Sequence, residues 1–216
     1  SYDPSAENLT LSTRTVNLAP EMDHTYEVGA KALVLNQKLA LTAALFDTTM
    51  DNARVTDPVS LATALQGTLE AKGVELSATG HVTDRLEIVA GYTYMDARTV
   101  KSLTPAQVGH QVTNTAHNQF NLWTVYEFTD RLSIGGGLNA VDRRSADQSG
   151  AAYIPGYTTV DGMVSYQVND HLGLRLNAFN LGDAHYYSNA YYSSAVENHV
   201  VPGAVRSVTV TATLKY

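Results

Sequence analysis

The stretch Ser207-Val208-Thr209-Val210-Thr211-Ala212-Thr213-Leu214-Lys215-Tyr216 decides the fold. Val208, Val210, Ala212, Leu214 and Tyr216 alternate with serine, threonine and lysine. Successive side chains of a strand point to opposite faces, so a period of two reads as a strand with one apolar and one polar face. The same stripe recurs upstream. Leu86, Ile88, Ala90, Tyr92 and Tyr94 form one, and Phe120, Leu122, Thr124, Tyr126 and Phe128 another. Leu132 to Ala140, Leu172 to Ala178 and Tyr26 to Ala32 repeat it. Nine strands are predicted, near residues 24–34, 39–52, 67–82, 86–97, 117–128, 132–144, 157–168, 172–181 and 205–216. Helical periodicity is confined to Val59–Gln66, where a short helix within a loop is expected.

Composition narrows the class. The 216 residues hold 14 basic and 21 acidic side chains, a formal net charge of −7, which disfavours nucleic acid as the main partner. Cysteine is absent, which excludes a disulfide framework, a thiolate metal site and a cysteine nucleophile. Charged residues make up 16%, below the roughly 25% usual for soluble domains. Yet no apolar run approaches the ~20 residues of a membrane-spanning helix. Leu39-Ala-Leu-Thr-Ala-Ala-Leu-Phe46 is far shorter.

The connections alternate in length. Four are tight: Asn36-Gln37-Lys38, Thr83-Asp84-Arg85, Thr129-Asp130-Arg131 and Asn169-Asp170-His171, each followed by leucine. The others are long, through Asp57–Gln66, Arg98–Ala116, Ser145–Gly156 and Gly182–Ala204. An antiparallel meander therefore gathers short turns at one end and long loops at the other, as outer-membrane β-barrels do. A propeller blade needs four strands per repeat, and the repeat here holds two long ones. The polar stripe contains Glu27, Lys31, Glu75, Glu87, Asn121, Asp161, Arg175, Asn177 and Lys215, while the apolar stripe is nearly free of charge. Lipid on one side and a polar lumen on the other account for that division. Tyr26, Tyr92, Tyr94, Tyr126, Tyr157, Tyr166 and Tyr216 fall near strand ends, where an interfacial aromatic girdle is expected. A soluble β-sandwich also alternates, and stays open as an alternative. Nine antiparallel strands do not close simply on themselves, and unpaired edges are untenable in lipid. The chain, which opens on Ser1, is therefore expected to be a piece of a larger barrel and not to form a closed, transport-competent barrel alone.

The ordered motifs resemble those of the TonB-dependent receptors, and among them the siderophore receptors. They include Asn17-Leu-Ala-Pro-Glu21, Thr25-Tyr-Glu-Val-Gly-Ala-Lys31, Asn52-Ala-Arg-Val-Thr-Asp57, Gly73-Val-Glu-Leu76 and Ala90-Gly-Tyr-Thr-Tyr-Met-Asp96. Asn121-Leu-Trp-Thr-Val-Tyr126, Pro155-Gly-Tyr-Thr-Thr-Val-Asp161, Leu176-Asn-Ala-Phe-Asn-Leu-Gly-Asp183 and Pro202-Gly-Ala-Val-Arg206 continue the set. Two positions depart from the pattern: Ala116, where proline is frequent, and Tyr216, where phenylalanine is commoner. The resemblance spans residues 1–216 and implies the last nine or so strands of a 22-stranded plugged, transmembrane antiparallel β-barrel, without the plug, the TonB box or the first strands. It further implies a bacterial outer-membrane receptor, not an enzyme, that takes up ferric siderophores with energy from the TonB complex acting through the missing plug. Iron would travel within the ligand, with no cofactor of the protein's own; catecholates are the expected ligand type. A passive porin remains the alternative.

Candidate ligand contacts lie in the long loops. Arg143, Arg144 and Tyr153 belong to one, and His185, Tyr186, Tyr187, Tyr191, Tyr192 and His199 to the last. Ferric siderophores are often anionic and aromatic, so arginine and tyrosine suit them through charge-assisted bonds, cation–π contact and stacking. Girdle or loop packing is the competing reading of the tyrosines. The seven histidines show no metal-ligand spacing. Gly135-Gly136-Gly137 lacks the lysine and helix of a phosphate loop, and is expected to permit close packing. Trp123 has the parity of the polar face and an expected structural role.

Overall fold

The computed structural model describes residues 2–3, 21–56, 63–194 and 197–215, with the side chains of 2–3, 54–56, 63–66, 191–194 and 197–198 left aside. Among the described residues one antiparallel meander dominates. Its strands are β1 (Tyr2–Asp3), β2 (Glu21–Val34), β3 (Leu39–Thr56), β4 (Thr63–Thr83), β5 (Leu86–Lys101), β6 (Asn118–Thr129) and β7 (Leu132–Val141). Two short strands intervene in a loop, β8 (Arg144–Ser145) and β9 (Tyr153–Ile154). Then come β10 (Tyr157–Gln167), β11 (Leu172–Phe179), the loop hairpin β12 (Tyr187–Ser194) and β13 (Glu197–Pro202), and β14 (Ser207–Leu214). The sheet order is β1-β2-β3-β4-β5-β6-β7-β10-β11-β14, while β8–β9 and β12–β13 form two small ribbons apart.

The nine long strands fall where alternation places them, with two corrections. Residues 63–66, expected in a helix, begin β4 and pair with β3; the rest of that stretch lies outside the described residues. The loops after β7 and β11 carry ribbons of their own. Their short, mixed sequences have no sustained period to signal pairing.

The register confirms the sidedness. One row runs Ala30–Ala43–Leu76–Tyr92–Phe120–Ala140–Thr158, and the next of like face Ala32–Leu41–Ala78–Ala90–Leu122–Leu138–Val160. The row between them, Lys31–Thr42–Ser77–Gly91–Asn121–Asn139–Thr159, is polar and faces the other way. Tyr26, Tyr92, Tyr94, Tyr126 and Tyr166 share the apolar face. Tyr157 does not: it pairs with Val141, which in turn pairs with Gln119 on the polar face, so its strand-end position is not a girdle position. Tyr216 lies outside the described residues. On β5 the apolar stripe from Leu86 to Tyr94 covers about 26 Å of strand, or roughly 20 Å of height at a tilt of ~40°, close to a hydrocarbon belt. Above it the same face turns charged. Lys72 pairs with Asp47 at 3.4 Å and Glu70 at 2.8 Å, and Arg98 with Asp96 at 2.7 Å.

The tight turns repeat one device. The Thr83 hydroxyl accepts from Arg85 N and Leu86 N at 3.3 and 3.0 Å. Thr129 does the same for Arg131 and Leu132 at 3.2 and 3.0 Å, and the Asn169 side chain for His171 and Leu172, both at 2.9 Å. A side-chain oxygen that caps the next two amides is what favours threonine and asparagine there. The first turn is built differently: Leu35, Asn36 and Gln37 all have positive φ. Lys38 of that turn bonds Asp84 of the next, tying neighbouring hairpins together at the short-turn end.

The glycine run on β7 seats Trp123. A Cβ on Gly137 would stand 2.7 Å from the indole Cε3, and one on Gly135 3.2 Å from Cζ2. The ring thus lies flat along the polar face, with the close approach that glycine permits.

Candidate functional site

The long-loop end is where the candidate contacts gather, and three loops interlock there: 102–117, 142–156 and 180–206. Asn114 adopts φ +63° and turns its amide onto the backbone of Ala190. It donates to Ala190 O at 2.7 Å and accepts from Ala190 N at 2.8 Å, imitating a strand partner. Its own N–H donates to Ser145 O at 3.0 Å, so one residue holds all three loops. Ala146, Ile154 and Ala190 bury against one another at this junction. Gln107 of the first loop also donates to Gln148 of the second at 2.5 Å.

Arg143 and Arg144, adjacent in sequence, part company. Arg144 is 5% exposed. It donates to Ser188 O at 2.5 Å and Tyr187 O at 2.8 Å, with its guanidinium 5.7 Å from the Tyr157 ring centroid. Its charge is committed to loop carbonyls. Arg143 is exposed and lies 4.9 Å from the centroid of Tyr153, itself exposed. This stacked pair presents a cation and a phenol on the surface of the loop end.

The remaining candidates divide similarly. Tyr186 stacks on Tyr157 with centroids 4.1 Å apart, and its ring occupies the space a side chain on Gly203 would need. It anchors the descent into β14. Tyr187 and His185 are exposed, and so is His199. The β12–β13 register sets residue 191 opposite 199 and 192 opposite 198. The side chains of Tyr191 and Tyr192 lie outside the described residues.

Two further loop organisers, like Asn114, were not among the sequence candidates. Asn180, 3% exposed and at φ +49°, donates to Ala184 O at 2.9 Å and Ala204 O at 3.0 Å and accepts from Ala184 N at 2.9 Å. It closes the base of the last loop. Asp147 accepts from Ser149 N at 2.8 Å, Ser149 Oγ at 2.9 Å, Ala151 N at 3.2 Å and Ala152 N at 2.7 Å. Burial pushes its carboxyl up, but these donors pull harder, and the net result lies below the ordinary carboxylate value. Asn180 two residues before Gly182, and Asp147 two before Ser149, carry the one sequence signal of such turns; their distant partners carry none. Among the described residues no group of histidines and carboxylates could hold a metal ion.

Comparison with known proteins places this geometry. The profile of the family described as TonB dependent receptor-like, beta-barrel, matches residues 1–181. The probable TonB-dependent siderophore receptor PiuA of Acinetobacter baumannii is 32% identical, aligned over 96% of this chain and 28% of its own length. The catecholate siderophore receptor Fiu of Escherichia coli K12 is 30% identical, over 95% of this chain and 27% of its own. The crystal structure of PiuA superimposes with a TM-score of 0.86 over 96% of this chain and 30% of that one. The closed form of Fiu does so with 0.83, at 29% identity, over 99% and 31%. The chain thus spans less than a third of the length of these relatives. On the profile match and the sided meander together, the chain belongs to the TonB-dependent receptor-like β-barrel family.

Proposed function

We propose that this chain supplies barrel wall and extracellular loops to an outer-membrane receptor that imports ferric siderophores with energy delivered by TonB. The observation that carries the reading is the two-sided meander, apolar on one face and polar on the other, crowned by interlocked long loops. Its support is the kinship with proteins named as siderophore receptors. Iron enters as part of the ligand, so the protein needs no cofactor of its own.

Within the loop end, Arg143 and Tyr153 are the first ligand contacts, with His185, Tyr187 and His199 near the same surface. A catecholate complex of iron is anionic and aromatic. It fits a guanidinium stacked on a phenol, which offers charge-assisted donors and a π-face together. Arg144 and Tyr186 serve the same site by holding the loops.

The test uses the full-length receptor in iron-limited cells. Arg143→Ala and Tyr153→Ala should each weaken binding of a ferric catecholate about tenfold, the fold-change equivalent to ~1.4 kcal/mol. Uptake in the parent should stop when TonB is deleted. Unchanged affinity in both variants would remove the ligand assignment. Uptake that persists without TonB would favour a passive pore.

A further inference from the structure

We infer that the outer wall carries a binding groove for one glycolipid, with an acyl chain on β2–β6 and a sugar head group at Asn118 and Asp142. The inference rests on reading the apolar face as the lipid-facing one.

Two grooves adjoin on that face. The first, about 510 Å³, is lined by Leu41, Leu76, Tyr92 and Phe120 around short side chains, Ala43 and Ala78 among them. Its apolar side chains come from the two outward rows, and Lys31, Thr42, Ser77 and Gly91 of the row between them complete the lining. Alanines at the crossing of five strands leave a trough where leucines elsewhere fill the belt. The second groove, about 410 Å³, shares Phe120 with the first and is lined by Asn118, Asp142 and Thr158.

Their relative height follows from the stagger of the turns. Along the row Ala43–Tyr92–Ala140–Thr158, the distance to the tight-turn end of the strand grows. It is four residues on β3, six on β5, eight on β7 and nine on β10. Moving from β3 toward β10 along a row therefore climbs toward the long loops, as strand tilt requires. The polar groove lies on the β6–β10 side, from the row of Phe120, Ala140 and Thr158 up to Asn118 and Asp142. It stands nearer the loop end than the apolar trough, at the upper edge of the belt. Apolar below and polar above, with one phenylalanine common to both, is the profile of an amphiphile whose head lies on the extracellular side.

The polar groove's chemistry chooses the head group. Tyr92 Oη donates to Asn118 Oδ1 at 2.6 Å, and Asn118 Nδ2 donates to Asp142 Oδ2 at 2.6 Å. That relay leaves Asp142 Oδ1 as an acceptor, one amide hydrogen of Asn118 as a donor, and the Thr158 hydroxyl as both. Among the described residues no cation lines the groove: Arg143 lies against Tyr153 and Arg144 is committed to Tyr187 and Ser188. A bare phosphate finds no partner there. Sugar hydroxyls, each donor and acceptor, match the set.

The full-length receptor in nanodiscs of phosphatidylethanolamine doped with a diglycosyl diacylglycerol, whose sugar head carries no phosphate, provides the test, read by native mass spectrometry after detergent release. The parent should retain one glycolipid. Ala43→Phe, which fills the trough, should abolish retention, and the smaller Ala78→Leu should weaken it if the first variant fails to insert. Asp142→Asn should lower retention about tenfold, and Val164→Phe, elsewhere on the same face, should leave it unchanged. An inserted parent that retains no glycolipid overturns the groove alone, as does retention indifferent to all three groove variants. Phosphatidylethanolamine held equally well and unaffected by Asp142→Asn overturns the head-group assignment. A parent that fractionates without detergent overturns the membrane reading itself.

Discussion

Asn114→Gly isolates the clip that joins the loops. At φ +63° the backbone of residue 114 lies in the left-handed region, which glycine enters freely. The substitution therefore keeps the turn and deletes only the side chain. Two hydrogen bonds to Ala190, at 2.7 and 2.8 Å, are lost, and Ala190 is 1% exposed, so its N–H and C=O have no ready water. Each such bond contributes about 0.5–1.5 kcal/mol net, so the local cost is about 2 kcal/mol. At ~1.4 kcal/mol per tenfold, opening of the 180–206 loop should become roughly thirtyfold more frequent. Hydrogen exchange of the detergent-solubilised full-length receptor, followed by mass spectrometry, reads this directly. Protection should fall in peptides around 110–116, 144–154 and 186–192, and hold in β3, β4 and β5. Asn114→Ala should be worse by about a further 1 kcal/mol, because a Cβ is strained at positive φ. Protection changed by less than threefold in Asn114→Gly, or an alanine variant as protected as glycine, would refute the clip.

Neighbouring substitutions on one strand test the sidedness. Ala78→Arg places a charge at mid-belt and should cost about 2–4 kcal/mol of barrel stability, whereas Ser77→Arg, on the polar face, should cost little. Urea unfolding in lipid vesicles distinguishes them; equal losses would contradict the register. Acidification should loosen the 142–156 loop through Asp147. Its folded carboxyl lies below the ordinary value, so its contribution is present above about pH 4 and is lost as pH falls through the folded value. Limited proteolysis should show the loop opening on acidification in the parent and already loosened, with little pH dependence, in Asp147→Asn.

How much was legible beforehand depended on the range of the interaction. The tight turns were readable because their cause is local: Thr83, Thr129 and Asn169 cap amides two and three residues away. Trp123 and the glycines it covers were half readable. Parity set the indole on the polar face, but only pairing of β6 with β7 brought it onto Gly135 and Gly137. Tyr157 shows the opposite failure. Its place near a strand end suggested a girdle, and the register turned it inward against Tyr186.

The amino-acid order by itself determined the nine long strands, the two faces and the sorting of turns from loops. Each arises from a period of two or from a cap within three residues, and needs no distant partner. Tertiary structure decided which loop residues are available. Arg143 and Arg144 are the same residue type one position apart, yet one is exposed beside Tyr153 and the other buried on carbonyls 43 and 44 residues away. Asn114 meets Ala190 across 76 residues. The alanine trough exists only where rows from five strands align. Such contacts are set by where the sheet's tilt and the loop ribbons bring distant backbone together, and local sequence pattern carries no record of that distance.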